Sequence, residues 1–331
     1  MTTVTLDAAR AWVSKIFVAH RATPATARSV ATALVGAEAD GLRGHGLQRI
    51  STYVGMLESG KIDGFAIPLL TKPKPAALLI DAACGFAYPA IDLACAELPA
   101  MARTSGIALA GITRSNHAGA IGHHVERLAE QGLVAIFFAN TPGAIAPWGG
   151  TEAIFGTNPI AFAAPLPGRP PIVIDLALSK VARGNIVQAK QKGERIPEGW
   201  ALDASGQPTT DADAALGGTM IAMGDAKGAA LALMVEVLAA ALVGSHLSMD
   251  ASSFLDEKGA PPQTGQCLIA IDPSSLGHGR FGASMTRLAA AIESQPGARL
   301  PGQRRLAARA RAASNGLEIP PALVTRFGAP D

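Results

Sequence analysis

A histidine and an arginine four residues apart are the first side chains in this sequence that could do chemistry together. His45 lies between Gly44 and Gly46 in the string LRGHGLQR, and Arg49 follows at a predicted helix start. The glycines leave room for a small molecule to approach the imidazole, and a guanidinium can bind a carboxylate through two parallel hydrogen bonds. The spacing fits an acid–base catalyst beside an anion clamp, and equally a helix-capping histidine beside a solvent-exposed arginine.

A second histidine lies in the string SNHAGAIG, residues 115–122, just before a predicted helix. The backbone N–H groups of this loop could meet a phosphate at the helix N-terminus. His123 and His124 begin that helix and are expected to be ordinary polar surface residues. Lys227 and Gly228 open another, longer helix, whose positive end would face an anion.

The composition argues against several classes of function. The 331 residues include 28 Lys and Arg and 26 Asp and Glu, so the positive and negative charges nearly balance. The basic side chains form no broad patch, and we therefore expect no nucleic-acid partner. Three cysteines without CxxC spacing, and histidines without HxxxH spacing, predict neither a disulfide framework nor a metal site. We expect no export signal and no membrane span, because the most apolar stretch, residues 228–247, contains Glu236 and His246. A cytoplasmic location fits these features.

The elements that must position these residues change in type along the chain. Helices are predicted from Thr5 to about His20 and from Thr23 to about Asp40. Short apolar runs of strand length then alternate with helical stretches, and residues 281–315 return to a helical pattern. This pattern predicts an α/β (α+β) fold in which the C-terminal helices pack back on the opening helices. Residues 204–220 are expected to form a long surface loop.

A GxGxxG string is present at Gly277, Gly279 and Gly282, after a predicted strand. A dinucleotide fingerprint also needs a following βαβ unit and an acidic residue about 20 positions later. The 49 residues that follow Gly282 are predicted to be helical. We therefore do not assign a phosphate-binding loop to these glycines.

Several strings taken together resemble one family, the malate/L-lactate dehydrogenases of the second, non-Rossmann kind. This family also contains ureidoglycolate, sulfolactate and diketogulonate enzymes and the cyclic imino acid reductases. The strings that carry the resemblance, in the family's order, include EADGLRGHGLQRI (38–50), SNHAGAIG (115–122), APWGGTEAIFGTNPIAFAAP (146–165), IDLALSKVARG (174–184), KGAALALMVEVLAAALVG (227–244) and LPGQRR (300–305).

The resemblance implies an NAD(P)-dependent oxidoreductase that acts on a small carboxylate substrate. It implies a non-Rossmann mixed sheet domain, residues 76–285, that binds the dinucleotide. A helical domain formed by both chain termini would comprise residues 1–75 with 286–331. The active site would lie at a homodimer interface.

The resemblance also implies roles for individual residues. His45 matches the proton donor, Arg49 the ligand of the substrate carboxylate, and Thr157 and His117 substrate contacts. The residues that match cofactor-contacting segments are His117, Ala118, Gly119, Ala120, Ile121, Asp175, Leu176, Ala177, Ala182, Arg183, Lys227, Gly228, Pro301, Gly302, Gln303, Arg304 and Arg305. One departure is Gly44, since the family usually has a serine immediately before the catalytic histidine.

Hydride delivery to a C=O or C=N carbon builds negative charge on the heteroatom, so the site needs a proton source and a carboxylate anchor. With a pKa near its reference value of about 6.5, His45 would donate to a developing alkoxide at neutral pH. A cyclic imine differs, because its nitrogen can be protonated before the hydride arrives.

The Asp40-Gly41 pair before the histidine is closer to the imino acid reductase pattern. This favours reduction of Δ1-pyrroline-2-carboxylate or Δ1-piperideine-2-carboxylate to L-proline or L-pipecolate. A malate/L-lactate-type dehydrogenase acting on an open-chain 2-oxo acid is the alternative. A catalytically inactive ligand-binding homologue is a third hypothesis, motivated by Gly44 alone. The cofactor is NADP or NAD, and NADPH is favoured if Arg183 or the Arg304–Arg305 pair holds a 2′-phosphate.

Overall fold

The computed structural model describes residues 2–330, in which helices and strands are mixed along the chain. The helices are α1 (Leu6–Ala19), α2 (Pro24–Ala39), α3 (Ile50–Ser59), α4 (Ala87–Ser105), α5 (Gly122–Ala129), α6 (Arg183–Lys192), α7 (Ala212–Gly217), α8 (Ala226–Glu236), α9 (Phe281–Glu293), α10 (Gln303–Asn315) and α11 (Pro321–Phe327). The strands are β1 (Thr2–Val4), β2 (Leu69–Lys74), β3 (Ala77–Asp81), β4 (Ile107–Ser115), β5 (Val134–Ala139), β6 (Ile160–Leu166), β7 (Arg169–Leu176), β8 (Ala201–Leu202), β9 (Pro208–Thr209), β10 (Thr219–Met220), β11 (Thr264–Ile271) and β12 (Leu317–Ile319).

Threonine side chains fix the starts of the first two helices. The Thr5 hydroxyl accepts a hydrogen bond from the Ala8 N–H at 3.2 Å, and Thr23 accepts one from the Thr26 N–H at 3.1 Å. These bonds satisfy backbone donors that the first helical turn leaves without partners. Both predicted helices are confirmed, and α2 brings Asp40 to its C-terminal end.

In the described part of the chain, seven strands form one mixed sheet in the order β2-β3-β4-β11-β5-β6-β7. β3 and β4 are parallel, whereas the other neighbouring pairs are antiparallel. A doubly wound dinucleotide fold is built instead from successive parallel strands joined by crossover helices. The predicted non-Rossmann α/β (α+β) class is confirmed, and the sheet order explains why a glycine fingerprint is not needed.

Apolar side chains cover both faces of this sheet. Along β5, Phe137 points into a core shared with α4 and α5, whereas the next residue, Phe138, points into a core shared with α8 and residues 144–222. Alternate residues of a strand face opposite sides, so a sheet buried on both sides needs continuous apolar strands. This is why the strand sequences show apolar runs rather than alternation.

The opening helices pack with the end of the chain, as predicted. β1 pairs antiparallel with β12, and Leu317 and Leu323 join a core that contains Trp12 and Phe17 of α1. The division into 1–75 with 286–331 and 76–285 stays a prediction. β2 lies inside the predicted helical range 1–75 but pairs with β3 of the sheet, and α9, which crosses the boundary at residue 286, packs against the sheet strand β6.

Two stretches differ from the sequence-based expectation. Residues 204–220 are not one surface loop, because Asp211 caps α7 through the Ala214 N–H at 2.8 Å and buries Ala212 and Ala215. The apolar stretch 228–247 is helical only in its first part, since α8 ends at Glu236 and continues as the π-helical turn Val237–Ala241. Within residues 2–330, no helix has the length and apolarity needed to cross a membrane.

Candidate active site

A cleft of about 2050 Å³ lies between the α2–α3 turn, the loop after β4, the ends of β5 to β7 and residues 248–255. This volume exceeds the roughly 300–1,000 Å³ typical of a pocket for one drug-sized ligand. Every residue predicted as a site residue lines the cleft except Lys227 and Gly228. Lys227 is exposed at the start of α8 and Gly228 is buried there, where a Cβ would lie 2.0 Å from the Met223 carbonyl oxygen.

The two glycines beside His45 have different structural roles. His45 ends the short 3-10 turn Arg43–His45, which leads through Gly46 into a second turn and then α3. A Cβ on Gly46 would lie 3.0 Å from backbone atoms of Glu38, so a glycine is needed for packing there. A Cβ on Gly44 would meet nothing within 4 Å. Open space next to the imidazole is therefore provided by Gly44.

Arg49 is held in place by backbone carbonyls rather than by an acidic side chain. Its Nε donates to the Gly44 carbonyl at 2.8 Å, and one terminal nitrogen donates to the Phe254 carbonyl at 3.1 Å. Among the described residues, no Asp or Glu forms an ion pair with this guanidinium. A fixed, uncompensated positive charge on the cleft wall is suited to binding a carboxylate.

His45 and His117 come together although 72 positions separate them in the sequence. Their rings stack with centroids 5.2 Å apart and an angle of 17° between planes, and the Phe254 ring lies 5.3 Å from His117. His117 Nδ1 is 2.6 Å from the Tyr53 hydroxyl, which is 3.0 Å from the Tyr88 hydroxyl. His45 Nδ1, in contrast, is buried without a hydrogen-bond partner.

Burial keeps both imidazoles neutral. Burial, with Arg49 and His123 nearby, lowers the pKa of His45 to about 4. Burial, with Arg49 and His45 nearby, lowers the pKa of His117 well below its ordinary value. The expectation that His45 titrates near its reference pKa is therefore wrong for the ligand-free chain, because solvent does not stabilise its charged form.

The loop after β4 offers backbone donors to the cleft. The described hydrogen bonds include none from the backbone N–H groups of residues 118–121, which line the cleft just before α5. Gly119 has a φ of 68°, and a Cβ there would lie 2.6 Å from the Tyr88 hydroxyl, so only a glycine fits. Unpartnered N–H groups before a helix are the donors that phosphate oxygens accept from.

Asp175, at the end of β7, lies against this loop. Its Oδ2 accepts a hydrogen bond from the Gly122 N–H at 2.7 Å. The carboxylate is reachable from the cleft, yet the surrounding protein desolvates it, and this burial raises its pKa. Asp175 thereby fixes the start of α5 relative to the sheet.

Thr157 is positioned by a buried polar network that the sequence analysis did not identify. Its N–H donates to the Thr141 hydroxyl at 2.9 Å, and the Thr141 N–H donates to Asn158 Oδ1 at 3.2 Å. Asn158, fully buried at a φ of 39°, donates through Nδ2 to Glu236 Oε1 at 2.8 Å. A single carboxylate within the apolar run of α8 was the sequence signal for this network.

Arg305 belongs to an ion cluster, which we define as Asp40, Glu126, Arg305 and Arg309. Arg305 donates to Glu126 at 2.7 and 2.8 Å and to Asp40 at 2.9 Å, and Arg309 binds the same two carboxylates. His123 Nε2 lies 2.7 Å from Asp40 Oδ2. The hypothesis that Arg305 holds a 2′-phosphate is not supported, because its guanidinium is already paired. Arg304, by contrast, is exposed on the cleft.

The expectation that His123 and His124 are ordinary surface residues is also wrong. His124 is buried, and its Nε2 lies 3.1 Å from the Ala118 carbonyl. Burial lowers its pKa to about 4. No group of three potential metal ligands occurs among residues 2–330.

Comparison with known proteins identifies the family of this chain. A family model described as malate/L-lactate dehydrogenase matches residues 4–327. The chain belongs to the malate/L-lactate dehydrogenase family. The resemblance found in the sequence is therefore confirmed, and this member of the family is an oxidoreductase.

Relatives of this dehydrogenase-family chain cover nearly its whole length. A "(2R)-3-sulfolactate dehydrogenase (NADP(+))" of Chromohalobacter salexigens is 47% identical over 303 residues, 92% of this chain and 90% of the relative. A "Delta(1)-pyrroline-2-carboxylate/Delta(1)-piperideine-2-carboxylate reductase" of Pseudomonas aeruginosa is 41% identical over 329 residues, 98% and 97% of the two chains. The crystal structure of a Δ1-piperideine-2-carboxylate reductase from Pseudomonas syringae superposes with a TM-score of 0.93 at 38% identity, covering 99% of each chain.

Lys61 also supports the site. It was missed because a lysine that follows a helix gives no sequence signal of burial. Only 1% of its surface is exposed, and its Nζ donates to the carbonyls of Ser253, Asp256 and Lys258 at 2.7, 3.0 and 2.5 Å. These bonds fix the loop that carries Phe254, whose carbonyl orients Arg49. Tyr53 and Tyr88 were missed too, although they are the two tyrosines of the whole sequence.

Proposed function

We propose that this dehydrogenase-family chain is an NAD(P)H-dependent reductase of a small cyclic 2-imino acid. It would convert Δ1-pyrroline-2-carboxylate or Δ1-piperideine-2-carboxylate into L-proline or L-pipecolate. The observation that carries the proposal is the superposition on the P. syringae reductase over 99% of both chains. The P. aeruginosa reductase, at 41% identity, supports the same substrate class.

Arg49 and His45 have the chemistry this substrate needs. In our proposal, Arg49 binds the substrate carboxylate, since its guanidinium is preoriented by the Gly44 and Phe254 carbonyls. His45 is then the proton-transferring residue beside the reacting carbon, and His117 and Thr157, which line the same cleft, contact the substrate. A Cβ on Gly44 would meet nothing within 4 Å, so the protein does not crowd a cyclic substrate at this position.

The low pKa of His45 favours an imine over a ketone. With a pKa of about 4, His45 carries no extra proton at neutral pH in the ligand-free chain. A cyclic imine can be protonated on nitrogen before reduction, so the reaction does not depend on a strong acid in the protein. Reduction of a 2-oxo acid needs a proton delivered to the developing alkoxide, which a neutral imidazole supplies less readily.

The cleft residues fit a dinucleotide. When bound, NAD(P)H supplies the hydride. We assign the free N–H groups of residues 118–121 to its diphosphate, and the remaining predicted contacts, from Asp175 to Arg183 and from Pro301 to Arg304, to the rest of the molecule. Arg183 and the exposed Arg304 carry positive charge without an acidic partner among the described residues, and this favours NADPH over NADH.

The test is turnover by the purified protein. NADPH or NADH is mixed with Δ1-pyrroline-2-carboxylate, Δ1-piperideine-2-carboxylate, pyruvate, oxaloacetate or 3-sulfopyruvate, and the loss of reduced cofactor is followed by absorbance. We expect NADPH oxidation with at least one cyclic imine and formation of L-proline or L-pipecolate. Binding of NADPH without turnover of any compound would support the inactive homologue instead.

A second candidate function is supported by the sulfolactate dehydrogenase, whose 47% identity exceeds that of the imino acid reductases cited here. An open-chain 2-oxo acid with a second anionic group would then be the substrate. Arg43 lies on the cleft wall, exposed beside His45, and could bind that second group. Turnover of 3-sulfopyruvate, with neither imine reduced, would establish this candidate in place of the first.

We also propose that the chain forms a homodimer through α8 and the π-helical turn that follows it. Leu233 of α8, Val237 in the turn and Leu242 just after it are 52%, 51% and 61% exposed, and the cleft residue Met249 is 54% exposed. Apolar patches of this kind mark protein interfaces. Val237→Asp should give a monomer in analytical ultracentrifugation, whereas Leu288→Asp, at an equally exposed leucine of α9, should not. A monomeric wild type would contradict the proposal.

We propose a cytoplasmic location on the basis of the cysteines. Cys84, Cys95 and Cys267 are all free thiols, and Cys95 and Cys267 are buried. A chain without disulfides is compatible with a reducing compartment. Fractionation of cells that produce the protein tests this assignment.

A further inference from the structure

Two buried tyrosines lie directly behind the imidazole stack. Tyr53 and Tyr88 are 1% and 2% exposed, and each belongs to the apolar core of the opening helices. The Tyr53 hydroxyl lies between Tyr88, at 3.0 Å, and His117 Nδ1, at 2.6 Å. The three polar atoms therefore form one chain of hydrogen bonds that ends at a cleft residue.

The protons of this chain can be arranged in three ways while both hydroxyls stay protonated and His117 is neutral. Burial raises the pKa of both phenols, so neither loses its proton near neutral pH. In the first arrangement Tyr88 donates to Tyr53, and Tyr53 donates to His117 Nδ1. In the second, His117 Nδ1–H donates to Tyr53, Tyr53 donates to Tyr88, and the Tyr88 hydroxyl needs a further acceptor. In the third, Tyr88 and His117 Nδ1–H both donate to Tyr53, and the Tyr53 hydroxyl hydrogen needs a further acceptor.

The second and third arrangements each leave a buried donor without a partner. In the described part of the chain, the Tyr88 hydroxyl has one hydrogen-bonding neighbour, Tyr53, and the Tyr53 hydroxyl has two, Tyr88 and His117. A buried hydroxyl hydrogen without an acceptor is unfavourable, because it loses its bond to water and gains none in the protein. The first arrangement uses every donor, with His117 Nδ1 as the final acceptor.

We propose that Tyr53 and Tyr88 are positioning residues that hold His117 as the Nε2–H tautomer. His117 then presents a fixed N–H donor to the substrate, and this part of the inference rests on the function proposed above. Nε2 is the remaining ring nitrogen of a residue that lines the cleft. His45 has no such support, because its buried Nδ1 lacks a partner. The stacked pair thus divides into one imidazole whose tautomer is set by a hydrogen bond at Nδ1 and one whose tautomer is not.

Nitrogen NMR of the full-length protein tests the tautomer without any substrate. In a neutral imidazole, the protonated and unprotonated nitrogens give well-separated 15N signals. The protein is labelled with [15N]histidine, and the His117 signals are assigned by their loss in His117→Gln. We expect Nε2–H in the wild type and in Tyr88→Phe, and a loss of this preference in Tyr53→Phe. Nδ1–H in the wild type would overturn the proposal, whether or not any variant folds.

Kinetics separates positioning from packing. Phe86→Leu is the matched control, because the Phe86 ring packs 5.2 Å from Tyr53 but has no part in the hydrogen bonds. Tyr53→Phe should lower kcat/KM for the substrate by roughly 10- to 100-fold, whereas Phe86→Leu should keep both kcat/KM and the Nε2–H signal. Equal kinetic losses in both variants, with an unchanged tautomer, would overturn the proposal. If the wild type reduces no imine while His117 is Nε2–H, the proposed function fails and the tautomer assignment stands.

Discussion

The two polar regions that line the cleft are built on opposite principles. In one region, His45 and His117 are neutral and stacked, His117 is joined to a tyrosine hydroxyl, and His45 Nδ1 has no partner. In the other region, the ion cluster pairs two carboxylates with two guanidiniums, and the Asp40 side chain is completely buried. Hydrogen bonds from Arg309, His123 and Arg305 outweigh burial and hold the pKa of Asp40 well below its ordinary value.

The difference shows where chemistry and stability reside. A cluster in which every charge is paired cannot accept a ligand without losing an ion pair, so it fixes α2, α5 and α10 relative to one another. No such pairing ties up the His45 ring, so we assign proton transfer to this imidazole. The predictions below test this division, in order of decreasing expected effect.

The largest effect is expected from removing the free imidazole. His45→Gln should lower kcat for a 2-oxo acid by about 10²- to 10⁴-fold, because general acid catalysis is lost. The loss should be smaller for a cyclic imine assayed below neutral pH, where the nitrogen is already protonated. Steady-state kinetics measures both. His123 lines the same cleft but is bonded to the ion cluster, so His123→Gln should change kcat by less than about threefold. Equal losses of kcat in the two variants would contradict the assignment of chemistry to the imidazole pair and of stability to the ion cluster.

Breaking the ion cluster should affect stability rather than chemistry. Asp40→Asn leaves two guanidiniums with one carboxylate, and breaking a buried ion pair costs about 3–5 kcal/mol of unfolding free energy. Asp7→Asn, at a side chain that is 93% exposed and paired with Arg10, is the control and should cost about 0–1 kcal/mol. Urea unfolding measures both. A stable Asp40→Asn protein with greatly reduced kcat would show that the cluster is catalytic after all.

Substrate binding should depend on Arg49. In Arg49→Lys, the ammonium cannot bind a carboxylate through two parallel hydrogen bonds while also contacting the Gly44 and Phe254 carbonyls. KM for any 2-oxo or 2-imino acid should rise by roughly 10- to 100-fold, with a smaller change in kcat. An unchanged KM would place the carboxylate elsewhere in the cleft.

The smallest effect, taken per pH unit, is expected in how the free energy of unfolding depends on pH. The pKa values of His45 and His124 are lowered to about 4, below their value of about 6.5 in the unfolded chain. Between these values the unfolded chain binds more protons, so stability falls as the pH falls, by up to about 1.4 kcal/mol per pH unit for each histidine. The contribution of Asp40 is lost only at lower pH, because its pKa is depressed below that of an ordinary carboxyl.

Urea unfolding at a series of pH values measures this dependence. His124→Gln should flatten the slope between about pH 6.5 and 4, since the variant has no group to protonate there. An unchanged slope would mean that His124 is already accessible to protons in the folded chain.

The sequence predicted those features that are local. Threonine caps, apolar strands and the GHG string with Arg49 are each visible within a few residues, and all were identified. The connections between distant residues were not: Tyr53 and His117 are 64 positions apart, and Asp40 and Arg305 are 265 apart. Arg304 and Arg305 look alike in sequence, yet one is exposed on the cleft and the other is paired, because side-chain partners depend on how α10 packs. For the same reason, no pattern around His45 or His124 revealed the burial that lowers their pKa values.

The most direct test of the account is the ratio of kcat/KM for Δ1-piperideine-2-carboxylate to that for 3-sulfopyruvate, measured with NADPH at neutral pH. A neutral His45 beside an uncompensated Arg49 predicts a ratio above about 10, because the imine nitrogen can bring its own proton. A ratio well below 1 would contradict the account and assign the cleft to an open-chain 2-oxo acid.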